Sequence, residues 1–218
     1  MRKTTGNLGQ IAGWAGMIGS ALFVVVFTVE GWLRPGYNPL STYVSALSLG
    51  PRGWIQITNF LLFGALLFVF TRGLAAEFPN EKASKGGLIL LTIIACCYFL
   101  SGPFVMDPTG TPLAQSTFHG NLHGILGAIV FLLMPISCFV YLRRFRTDPK
   151  WQALKWWTLV LGTISAIGTV ALTIASKPAS LQPIFAPWFG LIQRTSIVPF
   201  MIWIFVFALV FYRRNRTA

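Results

Sequence analysis

Charged side chains are scarce in this sequence, and acidic ones are the scarcest. Of its 218 residues 10% are charged, with only five Asp and Glu and two His, whereas soluble domains carry about 25% charged residues. Hydrophobic residues make up 55% of the chain, and the mean hydropathy is +0.68. The shortage of charge excludes an ordinary soluble domain and indicates a membrane protein.

Cysteine is also rare. The three cysteines, Cys96, Cys97 and Cys138, all fall inside long apolar runs. An odd number of cysteines at membrane depth gives no disulfide framework and leaves the redox compartment open.

Six apolar runs have about the 20 residues that a helix needs to cross roughly 30 Å of hydrocarbon. The first follows Arg2 and Lys3 but is longer than the roughly 7 to 15 apolar residues of a cleavable signal peptide, so we expect it to be retained. The sequence predicts one all-α domain over residues 1–218, a polytopic membrane bundle with six transmembrane helices. The predicted spans are residues 10–32, 54–76, 86–105, 119–142, 153–176 and 191–212.

Basic residues predict the orientation of this bundle. With a cytoplasmic N-terminus, 13 of the 17 Lys and Arg lie on the cytoplasmic side and 4 lie on the other, namely Arg34, Arg52, Lys177 and Arg194. The positive-inside rule then places both termini in the cytoplasm, and we expect the plasma (inner) membrane. Topology and contact with anionic lipid explain the net charge of +12, so we expect no nucleic-acid partner.

The connection after the first span, PGYNPLSTYVSALSLGPRG, has no charge from Pro35 to Pro51. Asn38 before Pro39 is typical of a helix start, and Gly50 before Pro51 is typical of a helix stop. These signals predict a short extracytoplasmic helix of about ten residues, too short to span a membrane.

Three hydroxyls would share one face of that short helix. Ser41, Ser45 and Ser48 would lie within about 60° of one another at 100° per residue. Such a stripe either bonds to neighbouring helices or lines a polar pocket.

Small residues and prolines mark three of the spans. Small residues at helical spacing predict two packing seams, at Gly9, Gly13, Gly16, Gly19 and Ser20 and at Gly120, Gly124 and Gly127. Pro135 and Pro199 lie inside spans four and six, where each removes a backbone hydrogen bond.

Ionisable residues near membrane depth are functional candidates by default. Those that we identify all lie at or just beyond the outer ends of spans: Glu30, Arg34, Asp107, His119, His123 and Arg194. The inner half of the predicted bundle has none. This asymmetry argues against a proton-coupled carrier or a pump, because a relay needs titratable groups through the whole membrane.

The densest cluster is FVMDPTGTPLAQSTFHGNLHG. His119 and His123 are four residues apart and share one helix face, so they and Asp107 are candidate ligands of a metal ion such as zinc. The alternative is structural: both imidazoles bond to loop carbonyls, and Asp107 initiates a turn before Pro108.

Two arginines have open alternatives. Glu30 and Arg34 are four residues apart with the acid first, which predicts a local ion pair. Arg194 begins the sixth span, where it either snorkels to the interface or faces inward toward a carboxylate or a lipid phosphate.

Three segments, PGYNPLSTYVSAL, FVMDP and HGNLH, resemble a prokaryotic family of six-span membrane proteins classed as a domain of unknown function. The similarity covers nearly the whole chain. The resemblance implies six helices with a motif-bearing outer face, and it brings no activity or substrate.

A fainter resemblance is to transmembrane hydrolases that include alkaline ceramidases and progestin/adiponectin-type receptors. Those proteins hold zinc with Ser, Asp and three His, and Ser45, Asp107, His119 and His123 match by residue type. This chain has two histidines and six predicted spans, whereas that group has three histidines and seven spans.

The sequence therefore supports three hypotheses in order. The first is an outward-facing polar pocket, formed by Ser45, Asp107, His119, His123 and Arg194, that binds a lipid headgroup, a small amphiphile or a partner subunit. The second is a metal-dependent hydrolase acting on lipid at the outer leaflet. The third is a transporter, which would need a polar path through the inner half.

Overall fold

The computed structural model describes residues 2–77, 82–176 and 180–216, and every regular element in these ranges is helical. Lys177, used in the charge argument, lies outside them. The α-helices are α1 (Arg2–Leu33), α2 (Gly53–Glu77), α3 (Lys82–Leu100), α4 (Phe118–Thr147), α5 (Lys155–Ser176), the short α6 (Gln182–Phe185) and α7 (Phe189–Arg216). The 3-10 helices are Val44–Ser48, Leu113–Gln115, Pro149–Leu154 and Ala186–Trp188.

Five helices in the described ranges, α1, α2, α4, α5 and α7, are long and apolar enough to cross a membrane. They match five of the predicted spans, which confirms a multi-pass helical membrane protein. Helix α3 has a shorter apolar stretch, Lys85–Leu100, and ends five residues before the predicted limit of 105. The chain turns there because Pro103 disfavours a helical conformation at Gly102.

The six long helices form a ring in chain order. Each packs against the next, and α7 packs against both α5 and α1. The α1–α2, α3–α4 and α5–α7 connections lie at one end, which we call the loop end. At the other, basic end the last turn of α7 lies near the α4–α5 connection, where Arg214 Nη1 donates to the Lys150 carbonyl at 2.8 Å.

The first predicted glycine seam is confirmed. A Cβ at Gly13 would lie 2.6 Å from Tyr212 Cβ, and one at Gly19 would lie 2.9 Å from Leu66 Cβ. Because glycine has no side chain at either position, α1 approaches α7 and α2 closely, and no room is left for a larger residue.

Aromatic rings fill the centre of the ring of helices. In the half nearest the loop end, Phe23 contacts Phe27, Phe60, Phe63 and Tyr98. In the half nearest the basic end, Phe207 contacts Phe70, Tyr141, Phe145, Trp151 and Trp203.

The connection after α1 differs from its prediction. In place of an α-helix of about ten residues, it contains the five-residue 3-10 helix Val44–Ser48. Asn38 Oδ1 accepts from Leu40 N at 2.9 Å and so caps a turn rather than a helix. Gly50, with φ +71°, does end the segment as predicted.

Candidate functional site

The connection over residues 34–52, which we call the cover segment, is bound to the bundle by Arg194 of α7. Arg194 Nη1 donates to the carbonyls of Pro39 at 2.7 Å and Thr42 at 3.2 Å, and Arg194 Nη2 donates to the Tyr37 hydroxyl at 2.6 Å. Leu191 N adds a bond to the Leu40 carbonyl at 2.9 Å. Arg194 therefore faces inward, toward backbone carbonyls instead of a carboxylate.

The start and end of the cover segment are fixed by Glu30. This carboxylate is 3% exposed and accepts from Arg34 Nε at 3.1 Å and Arg52 Nε at 2.9 Å. Arg34 Nη1 also donates to the Leu49 carbonyl at 2.9 Å. The predicted Glu30–Arg34 ion pair is confirmed, and Arg52 gives the buried acid a second charged hydrogen-bond partner.

These contacts explain why the 3-10 helix of the cover segment carries no charge. Val44, Leu47 and Ser48 are buried in it, and the arginines that satisfy carbonyls of the segment come from its boundary and from α7. A charged side chain at one of these three positions would be buried without a partner.

The two histidines each bond to a carbonyl of the α3–α4 connection. His123 Nδ1 donates to the Phe104 carbonyl at 2.7 Å, and His119 Nδ1 lies 3.3 Å from the Pro103 carbonyl. His123 is buried against Phe60, whereas His119 is exposed. The structural alternative for the pair is thus what the geometry shows.

Asp107 reinforces the beginning of α4. Its Oδ2 accepts from Thr117 N at 2.9 Å, and its Oδ1 accepts from the Thr117 hydroxyl at 2.8 Å. Thr117 in turn is the N-cap of α4 and accepts from Gly120 N at 3.0 Å. The carboxylate therefore holds a capping residue in place next to the positive end of the helix dipole.

The predicted metal ligands do not meet in this geometry. No group of three or more His, Cys, Asp or Glu among the described residues is placed to hold a metal ion. His119, His123 and Asp107 direct polar atoms at separate partners in the α3–α4 connection.

A cavity of about 580 Å³ lies between α4 and α5 in the half of the bundle nearest the loop end. Its mouth is bordered by the exposed residues Gly124, Ala128 and Leu132 of α4 and Thr173 of α5. These positions belong to helices that are long and apolar enough to cross a membrane, and the mouth opens on the lateral surface of the bundle.

The second predicted glycine seam is wrong at two of its three positions. A Cβ at Gly124 or Gly127 would meet no atom within 4 Å, since both glycines line the cavity. By contrast, a Cβ at Gly162 of α5 would lie 2.9 Å from Cys138 Cβ of α4, and one at Gly168 would lie 2.6 Å from Ser196 N of α7. Helix α5 thus packs against α4 toward the basic end and against α7 toward the loop end. This divergence from α4 leaves the cavity between the two helices.

Polar groups line the inner wall of this cavity. Tyr43 and Ser45 come from the cover segment, His123 from α4 and Gln193 from α7. Ser45, His123 and Gln193 also line a chamber of about 30 Å³ at the centre of the bundle. Of the five predicted site residues, the structure brings Ser45 and His123 to the cavity, whereas Asp107, His119 and Arg194 serve the surrounding connections.

Gln193 is the site residue that the sequence analysis missed. Its Oε1 accepts from Val44 N at 2.7 Å, and this bond fixes the 3-10 helix of the cover segment against the cavity. A search restricted to ionisable residues cannot find it. A signal was present in an amide beside Arg194 at the start of an otherwise apolar span.

The end of the cavity nearest the basic end, its floor, lies where Pro135 interrupts the hydrogen bonding of α4. A proline has no N–H, so the carbonyl of Phe131, four residues earlier, loses its helical partner. Thr169 Oγ1 of α5 donates to that carbonyl at 3.1 Å and lies 2.7 Å from Ser196 Oγ of α7. Helices α4, α5 and α7 are thus joined at the level of Phe131. At 1.5 Å per residue this level lies about 12 Å from His123 along α4, toward the basic end.

Comparison with known proteins identifies a family. Residues 17–210 match the family described as "Protein of unknown function (DUF998)". No curated protein and no solved structure matches the chain. The fainter likeness to alkaline ceramidases is not shown.

Proposed function

We propose that this chain, which belongs to the DUF998 family, binds a membrane lipid or small amphiphile in the cavity between α4 and α5. The observation that carries the proposal is the form of that cavity. It opens toward hydrocarbon through small and apolar residues and ends at a polar inner wall. An amphiphile matches both surfaces, because its chain and its head need opposite environments.

The proposed arrangement has six spans, with α3 as the third, and both termini in the cytoplasm of a cell bounded by the plasma membrane. Helix α3 packs between α2 and α4 like the other members of the ring, which supports its crossing the bilayer with them. The loop end would then face outward, and the cavity would open to the outer leaflet.

The alternatives have less support. A transporter needs a path to the basic end, and that half of the bundle is filled by rings such as Phe145, Trp151 and Phe207, each no more than 1% exposed. A metal-dependent hydrolase needs ligands that converge, and the predicted three direct their atoms elsewhere.

Filling the cavity tests the proposal. Gly127→Leu places a side chain in open space, so we expect it to fold and to exclude the ligand. Gly86→Leu is the matched control: a Cβ at Gly86 meets only Val140 Cγ1, at 3.9 Å, and Gly86 lies outside the cavity.

The measurement is native mass spectrometry of each variant released from lipid nanodiscs. We expect bound amphiphile on the parent and on Gly86→Leu, with at least about a tenfold loss on Gly127→Leu. Equal retention by all three proteins contradicts binding in this cavity.

A further inference from the structure

Three uncharged polar groups that line the cavity have no hydrogen-bond partner among the described residues. The Tyr43 hydroxyl, Ser45 Oγ and Gln193 Nε2 make no hydrogen bond to any other described residue. They supply two hydroxyls, which donate and accept, and one amide donor. Burial raises the pKa of Tyr43 to about 12, so its phenol stays neutral.

The charged residues near the loop end are already engaged. Arg194 is bonded to carbonyls of the cover segment, Glu30 is paired with Arg34 and Arg52, and Asp107 holds Thr117. None of them lines the cavity.

The size of the cavity limits how much of a ligand it encloses. A volume of about 580 Å³ holds on the order of 20 heavy atoms at roughly the 30 Å³ that one water takes in the liquid. This is sufficient for a head group and part of one chain, with the rest of the chain leaving through the mouth past Leu132. The two chains of a phospholipid would not both be enclosed with its head.

From these observations we infer that the ligand is an uncharged single-chain amphiphile whose head carries hydroxyl or carbonyl groups, of the monoacylglycerol or fatty-alcohol class. This inference rests on the proposed function and adds the ligand class. A phosphate, carboxylate or ammonium head would lose its hydration at the inner wall. There Tyr43, Ser45 and Gln193 carry no charge, and the His123 imidazole already bonds to the Phe104 carbonyl. A neutral head exchanges water for Tyr43, Ser45 and Gln193 at little net cost.

The test uses photoreactive amphiphiles that share one oleoyl chain with a diazirine and differ only in the head. The probes are 1-oleoylglycerol, oleate and oleoyl lysophosphatidate, each added to the full chain in nanodiscs at pH 7.5. Peptide mass spectrometry locates the labelled residues, and Gly127→Leu and Gly86→Leu are run in parallel.

We expect the glycerol probe to label residues of α4 and α5 around the cavity at least about tenfold more than either anionic probe. This labelling is expected to be lost in Gly127→Leu and kept in Gly86→Leu. Equal, Gly127-dependent labelling by all three probes overturns the inference and leaves the proposed function standing. Labelling that does not depend on Gly127 for any probe overturns both.

Two conservative variants test the contact with the head. Ser45→Ala and Tyr43→Phe each delete a hydroxyl that has no described protein partner, so we expect both to fold normally. Labelling by the glycerol probe is expected to fall several-fold in each, with labelling by oleate unchanged. Unchanged labelling by the glycerol probe in both variants contradicts recognition of the head by these hydroxyls.

Discussion

Arg194 Nη2 donates to the Tyr37 hydroxyl at 2.6 Å across 157 residues of sequence. The same guanidinium lies over the Phe27 ring, 5.6 Å from its centroid. The planar guanidinium thus joins α7 to the cover segment, whose residues Tyr43 and Ser45 line the cavity.

Replacing Arg194 is therefore expected to loosen the cover segment. Arg194→Gln and Arg194→Lys each remove the fork that reaches Pro39, Thr42 and Tyr37 together, so we expect a loss of about 2 to 3 kcal/mol in the free energy of unfolding. Thermal melting in detergent measures it. Arg72→Gln is the control, because Arg72 is exposed at the basic end. Full stability of Arg194→Lys would show that charge alone suffices.

Asp107 is expected to act through Thr117 and not through a metal. Asp107→Ala and Thr117→Ala should each destabilise the protein by about 1 kcal/mol, and the double variant by less than the sum because the two residues form one capping unit. A double-mutant cycle of unfolding free energies measures the coupling. Stoichiometric zinc on the purified parent, lost in Asp107→Ala and His119→Ala alike, would contradict this role.

Two glycines one turn apart on α4 are expected to respond in opposite ways to alanine. A Cβ at Gly120 would collide with Asp107 Oδ2, so Gly120→Ala displaces the carboxylate from Thr117 and destabilises the protein. Gly124→Ala enters open space and gains helix propensity, worth up to about 1 kcal/mol. Melting temperatures of the two variants decide the matter: equal shifts of the same sign contradict the difference in their surroundings.

The proposed orientation can be tested with two exposed threonines. Thr109→Cys lies in the α3–α4 connection at the loop end, and Thr147→Cys lies at the end of α4 at the basic end. A membrane-impermeant maleimide is expected to label Thr109→Cys in intact cells and Thr147→Cys only after lysis. The parent, with its native cysteines, is the control. The reverse pattern contradicts cytoplasmic termini.

Hydropathy predicted the approximate limits of the long helices, five of which are long and apolar enough to cross a membrane, because burial in hydrocarbon depends on composition more than on neighbours. It placed the end of α3 too far along, since Val105 is apolar but follows the turn at Pro103. The prediction of a ten-residue helix after α1 was wrong for a different reason. It used the local capping signals at Asn38 and Pro39, whereas Arg194, 155 residues further along the chain, donates a hydrogen bond to the Pro39 carbonyl.

The site was predicted only in part. Ser45 and His123 do reach the cavity, but residue type alone did not separate them from Asp107 and His119, whose partners lie in a connection with no regular pattern. Glycine spacing was equally ambiguous. Gly13 and Gly124 look alike in sequence, and only their neighbours decide that one packs against a helix and the other borders open space.

The most direct test is an experimental structure of the parent protein in a lipid nanodisc. The account predicts elongated density between α4 and α5 that runs past Leu132 and ends beside Ser45 and Gln193, and no such density in Gly127→Leu. Side chains of α4 and α5 packed together across this space, or density absent there at a resolution that shows lipid elsewhere on the protein, would contradict it.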